Sequence, residues 1–217
     1  MLADKDACAV ELSALRQEEL VPLVDELVRL DLSAFDYVSF HAPSSMERSF
    51  EETALRLLEQ VASREWPIVV HPDAMFTPSE WGRLGDCLCI ENMDKRKPIG
   101  QTAKDLAGIF DILPRASLCF DIGHARQVDP TMSEASSILH HFRSRIRQLH
   151  VSEVNSKSQH DRLSVESILA FQKVSHLVPV NVPVILESRV EESAIDEEIQ
   201  NALDALSTER LLASAGD

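Results

Sequence analysis

Leu118-Cys-Phe-Asp121-Ile-Gly-His124 is the stretch whose reading decides the fold of this chain. Three apolar residues in a row, with no polar alternation, describe a strand covered on both faces, as in a parallel sheet packed between layers. A carboxylate follows at once, and an imidazole comes three residues later. The same form recurs in Val38-Ser-Phe-His41, Ile68-Val-Val-His71, Leu88-Cys-Ile-Glu91-Asn92, Gln148-Leu-His150 and Val184-Ile-Leu-Glu187. Six consecutive apolar runs thus end in His, Asp or Glu.

Working outward, strands are expected at Ala9–Leu12, Asp36–His41, Pro67–His71, Cys87–Glu91, Ser117–Asp121, Arg147–Val151 and Pro183–Glu187. Amphipathic helices are expected near Gln17–Leu30, Ser45–Arg64, Ala103–Leu113, Ser133–Arg143, Val165–Leu177 and Glu191–Leu206. Ser133 with Glu134 and Ser164 with Glu166 read as helix starts, a short polar side chain serving the orphan N–H groups and an acid suiting the dipole. The segment Pro72–Asp86 has room for a short helix only. Strands alternating with helices give an α/β fold, a TIM-type (β/α) barrel. Seven recognisable strands leave it one short of eight, so the barrel is expected to be short or incomplete. A poor strand near the N-terminus, an open barrel or a homo-oligomer covering the open edge would each account for the gap.

At 217 residues with no internal linker or low-complexity tract, the whole chain, 1–217, reads as one domain. Hydrophobic residues make up 44% and charged residues 26%. No run approaches a membrane span, and the N-terminus lacks the pattern of a secretory signal, so a cytoplasmic location is expected. Cys87, Cys89 and Cys119 fall in apolar runs and read as small buried hydrophobes, and there is no CxxC pair. A formal net charge of −15 repels polyanions and weighs against nucleic acid as a partner.

In a barrel of parallel strands, functional groups gather where the strands end. A carboxylate directly after an apolar strand carries a desolvation cost unless paired, and converging carboxylates repel one another without a cation. Glu91, Asp121, His150 and Glu187 are therefore expected to form a divalent-metal site. Mixed carboxylate and imidazole donors suit Mn, Zn, Fe or Co. One ion is expected, and a second is compatible with Glu91 acting as a bridge.

The motifs His-Ala-Pro (41–43), His-Pro (71–72), Glu-Asn-Met (91–93), Asp-Ile-Gly-His (121–124), His-Val-Ser-Glu (150–153) and Leu-Glu-Ser (186–188) occur in order. With these the chain resembles the xylose isomerase-like TIM barrels, the superfamily of many sugar isomerases and epimerases and of endonuclease IV. The isomerase and epimerase branch implies one divalent ion on Glu91, Asp121, His150 and Glu187, with Glu91 and Glu187 as a catalytic acid/base pair and His124 facing substrate. The endonuclease branch implies a further ion on His41, His71 and Glu91. It implies a third on His124 and an Asp-x-His motif, where this chain has Ser158-Gln-His160; Ser158 replaces the expected carboxylate unless Asp161 substitutes.

Arg126 and His160, with His124, are the expected substrate-binding residues, and Lys95, Arg96, Lys97, Arg162 and Arg189 are further cations near the strand ends. His140, His141 and His176 fall in or at the ends of helices and read as structural or exposed. The leading expectation is a metal-dependent enzyme acting on a small hydroxy-carbonyl or sugar-like substrate by proton transfer. A phosphoester hydrolase with two or more metals, or a non-catalytic barrel that keeps the ligands, are the competing expectations.

Overall fold

A computed structural model describes residues 7–207. Seven parallel strands form one sheet: β1 (Ala9–Ser13), β2 (Tyr37–His41), β3 (Ile68–Val70), β4 (Leu88–Glu91), β5 (Ser117–Asp121), β6 (Ile146–Val151) and β9 (Val184–Leu186). The strands lie side by side in chain order, each pairing in parallel with the next. They curl into a nearly closed barrel in which β1 and β9 lie beside each other, with no ladder between them among the described residues. The seam is a cleft of about 700 Å³ whose lining includes Val10, Tyr37, Val184, Leu186, Ile199 and Leu203. The expected short barrel of seven strands is therefore what the described residues form, and curvature narrows its seam.

The helices α1 (Gln17–Glu26), α2 (Glu51–Ala62), α3 (Ala103–Ile112), α4 (Ile122–Val128), α5 (Ser133–Phe142), α6 (Val165–Gln172) and α7 (Ile195–Leu206) lie between or after the strands. Their apolar stripes close the core. In α2, Ala54, Leu55, Leu58 and Val61 are buried at helical spacing beneath an exposed acidic and basic face. Thr102 and Asp105 form a reciprocal capping box at the start of α3, and Ser164 caps α6 through the Ser167 N–H.

Several boundaries differ from the sequence reading, for local reasons. The start of α5 is served by Asp129, whose carboxylate accepts from the Glu134 N–H, while Met132 takes a left-handed turn at φ 68°. Ser133 is therefore the first helical residue and not the cap. Helix α4, directly after β5, was not anticipated; the Asp121 side chain caps it by accepting from the His124 N–H at 2.6 Å. A short hairpin of β7 (Glu153–Val154) and β8 (His160–Asp161) also escaped the periodicity, being two residues per strand. Between β3 and β4, Pro78–Cys87 forms 3-10 turns broken at Gly85, so Cys87 ends a turn and is only half-buried.

Candidate metal centre

The pleat decides which residues meet. In β4, β5 and β6 the register pairs Glu91 with Cys119 and Asp121 with His150, so the C-terminal strand ends form one rim. Glu91 is the centre of it, only 1% exposed. Its Oε2 lies 3.2 Å from His41 Nε2 and 3.0 Å from His71 Nε2. Its Oε1 lies 3.3 Å from His124 Nδ1 and 3.5 Å from His150 Nδ1. Glu187 closes the far side, its Oε1 being 3.4 Å from His150 Nδ1 and its Oε2 3.3 Å from His160 Nδ1.

Among the described residues four sets of donor atoms are each gathered within 4.8 Å, and three of them lie on the strand-end rim: His41, His71 and Glu91; Glu91, Asp121, His150 and Glu187; and Asp121, His124 and His160. The structure thus brings together every residue expected to hold metal. It joins the first two sets through the two oxygens of Glu91 and the last two through Asp121.

Electrostatics show what such a cluster lacks. Burial pushes the Asp121 carboxyl up to about 8; His124 opposes the shift, while Glu187 and Glu91 add to it. A buried acid that keeps its proton near neutrality is one whose negative charge has no sufficient partner. Burial opposes ionisation of Glu91 too, but His71, His124, His150 and His41 outweigh it and hold Glu91 well below the carboxylate range. His41 and His124 lose by burial yet rise to about 9 and about 10, because carboxylates face them. Buried side-chain atoms without a hydrogen-bond partner include Asp121 Oδ2, His150 Nδ1 and Glu187 Oε2. Buried polar atoms are rarely left unmatched, and the three residues that bear these share one donor set. The residues fit a divalent cation, which would replace the protons the cluster otherwise retains.

The surroundings hold the candidate ligands in place. Asn92 accepts from the Asp121 N–H and donates to the Asp121 carbonyl, each at 2.8 Å, locking β4 to β5 at the rim. Ser158 sits in a left-handed turn at φ 54° and spends its hydroxyl on Asp94, at 2.9 Å, and on Gln127. The Asp161 carboxylate accepts from Asn155 on the exposed side and does not substitute for the carboxylate missing at position 158. The third set therefore consists of Asp121, His124 and His160 alone.

The cations near the mouth are mostly committed. Arg126, the expected substrate anchor, lies 3.4 Å from Glu153. Arg96 pairs with Asp94, Lys97 with Asp73, and Arg162 with Glu197 and Glu198. One residue of the centre was missed by the sequence reading altogether. Glu11, inside β1, places its Oε1 3.1 Å from His150 Nε2, and its set with His41 and Glu187 also lies within 4.8 Å. The available signal was a carboxylate in the middle of an otherwise apolar strand.

Solved structures share the architecture. The 3-keto-D-glucoside 4-epimerase YcjR of E. coli superposes with a TM-score of 0.51 at 11% identity, over 93% of this chain and 100% of that one. Endonuclease IV of Thermus thermophilus superposes with a TM-score of 0.57 at 16% identity, over 95% of this chain and 98% of that one. The fold is a TIM-type (β/α) barrel. No family model matches the chain, and no curated protein matches it by sequence. The two neighbours differ in the chemistry their names describe, so the fold leaves the reaction to the site. Among the described residues no helix is long and apolar enough to cross a membrane.

Proposed function

We propose that this chain is a divalent-metal-dependent enzyme, an isomerase or epimerase that moves a proton on a small hydroxy-carbonyl or sugar-like substrate. The observation that carries the reading is the convergence of Glu91, Asp121, His150 and Glu187 in one donor set, three of them bearing buried atoms without a hydrogen-bond partner. A bound Mn, Zn, Fe or Co ion supplies Lewis-acid polarisation of a substrate oxygen. Glu187, with 20% of its side chain exposed, takes and returns the proton at the open edge of the centre. Glu91 is the partner carboxylate, held ionised by four imidazoles. His124 and His160, whose rings lie 5.3 Å apart, flank the same space and orient substrate hydroxyls. The commitment of Arg96, Lys97, Arg126 and Arg162 to carboxylates supports an uncharged substrate.

A second reading, a phosphoester hydrolase of the endonuclease IV type, is favoured by the His41, His71 and Glu91 set. His41, His71 and Glu91 would hold a second ion beside the first, and such a pair would supply Lewis-acid stabilisation to a phosphoester displacement. One experiment separates the readings. Protein loaded with each of the four metals is incubated with ketoses, aldoses and keto-sugars in deuterated water, and in parallel with abasic duplex DNA and small phosphodiesters. Deuterium incorporated at a sugar carbon, and abolished by Glu187→Gln, supports proton transfer. Phosphoester cleavage without exchange supports the hydrolase. Tight metal binding with neither activity leaves a non-catalytic metal-binding barrel and sinks both enzymatic readings.

A further inference from the structure

The inner face of the barrel below the metal-ligand rim is not the aliphatic layer usual in such folds. Register places Glu11 on β1 directly beside Ser39 on β2, and Gln148 lies two residues before His150 on β6, so both β6 side chains share a face. These residues meet across the barrel interior. Ser39 Oγ donates to Glu11 Oε2 at 2.8 Å, and Gln148 Nε2 donates to the same oxygen at 2.7 Å. Tyr37 donates its hydroxyl to Gln148 Oε1 at 2.7 Å, which fixes which way that amide points. The other oxygen of Glu11, Oε1, faces His150 Nε2 at 3.1 Å, with Glu11 4% and His150 0% exposed.

We propose that Glu11 is a positioning residue of the metal centre: it accepts the Nε2–H of His150 and so turns the Nδ1 lone pair toward Glu91, Asp121 and Glu187. The inference rests on the metal-centre reading above. Imidazole ligands commonly donate their second N–H to a carboxylate, which selects the tautomer and orients the ring. Here the geometry meets both halves of that arrangement, since Nδ1 is the buried nitrogen without a hydrogen-bond partner. There is a competing arrangement, because Gln148 Nε2 lies 2.9 Å from His150 Nε2 and has a second N–H to give. In that case Nε2 would be bare, Nδ1 would carry the proton, and a carboxylate oxygen would face a nitrogen lone pair at 3.1 Å. A charge-assisted imidazole-to-carboxylate bond is the stronger of the two, so Glu11 and not Gln148 sets the tautomer.

The test combines nitrogen-15 NMR of histidine-labelled protein with metal-binding titrations by chelator competition. In the wild type, with and without zinc, His150 Nε2 should carry a slowly exchanging proton. Glu11→Gln should keep the ion count and weaken zinc binding by about 10- to 100-fold, the usual effect of losing such a partner. Ser39→Ala, which removes only a donor to the far oxygen, should weaken it several-fold less. A bare Nε2 in the wild type overturns the proposal and needs no variant. Unchanged zinc affinity in Glu11→Gln overturns it as well, and loss of one whole ion would make Glu11 a direct ligand instead. Should the wild type bind no divalent ion, the metal-centre reading fails, while the NMR measurement still decides which group His150 donates to.

Discussion

Gly123 offers the sharpest test of how tightly the fold holds the centre. It is the second residue of α4, between the cap Asp121 and His124, where alanine would ordinarily stabilise a helix by about 1 kcal/mol. A Cβ built there falls 2.4 Å from the Ser152 carbonyl oxygen and 2.8 Å from Val154 Cγ2. The carbonyl belongs to the main chain between β6 and β7, so relief requires α4 and that segment to part by at least 0.6 Å to reach 3.0 Å. Asp121 and His124 ride on one side of this contact and His150 and His160 on the other. Metal–ligand distances tolerate only about 0.2 Å, so the separation should cost more affinity than stability. We expect Gly123→Ala to lose about 1–3 kcal/mol, the usual penalty of overpacking, and to lower Tm by roughly 2–4 °C per kcal/mol. Zinc should then raise its Tm far less than it raises that of the wild type. Gly108, exposed in α3 with nothing within 4 Å of its added Cβ, is the control, and Gly108→Ala should stabilise by about 1 kcal/mol. Thermal and urea melts with and without zinc report both quantities. A Gly123→Ala protein as stable and as zinc-responsive as the wild type would refute the reasoning.

Further outcomes follow from the same geometry. Chelation should lower Tm, and divalent ion at a thousand times its Kd should restore about 4 kcal/mol, read as a concentration-dependent Tm; no response would remove the metal centre. Glu51 accepts from the Phe76 and Thr77 N–H groups and from Trp81 Nε1 at 2.6, 2.9 and 2.9 Å, and these bonds outweigh burial to lower its pKa. A lowered carboxylate contributes stability that is present above its unfolded value of about 4.5 and is lost as pH falls through the folded one. Glu51→Gln should therefore lose about 2–4 kcal/mol near neutrality and show a flatter acid limb in urea melts, and a parallel acid limb would sink that account. Burial pushes the Cys89 thiol up to about 12 and also raises Cys119, whereas Cys8 is exposed. A thiol reagent should label Cys8 quickly in the native protein and reach Cys89 and Cys119 only on unfolding; fast labelling of either buried thiol contradicts the packing.

The sequence by itself determined the parallel strands and most of their rim. A run such as Ile68-Val-Val or Leu88-Cys-Ile is apolar on both faces of the pleat, which only a sheet covered on both sides can use, and the polar residue ending each run had nowhere to go but the mouth. That is why Glu91, Asp121, His150, Glu187, His41 and His71 were legible as one group. Periodicity is blind to elements shorter than its own window, so α4 and the β7–β8 hairpin came only with the structure. Tertiary structure also decided everything that depends on direction. Which oxygen of Glu91 meets His41 and which meets His150 is set by the curvature that brings the non-adjacent strands β2, β4 and β6 face to face. The same curvature carries Glu11 across the interior to His150, separated by 139 positions in the chain, so no local pattern could have joined them.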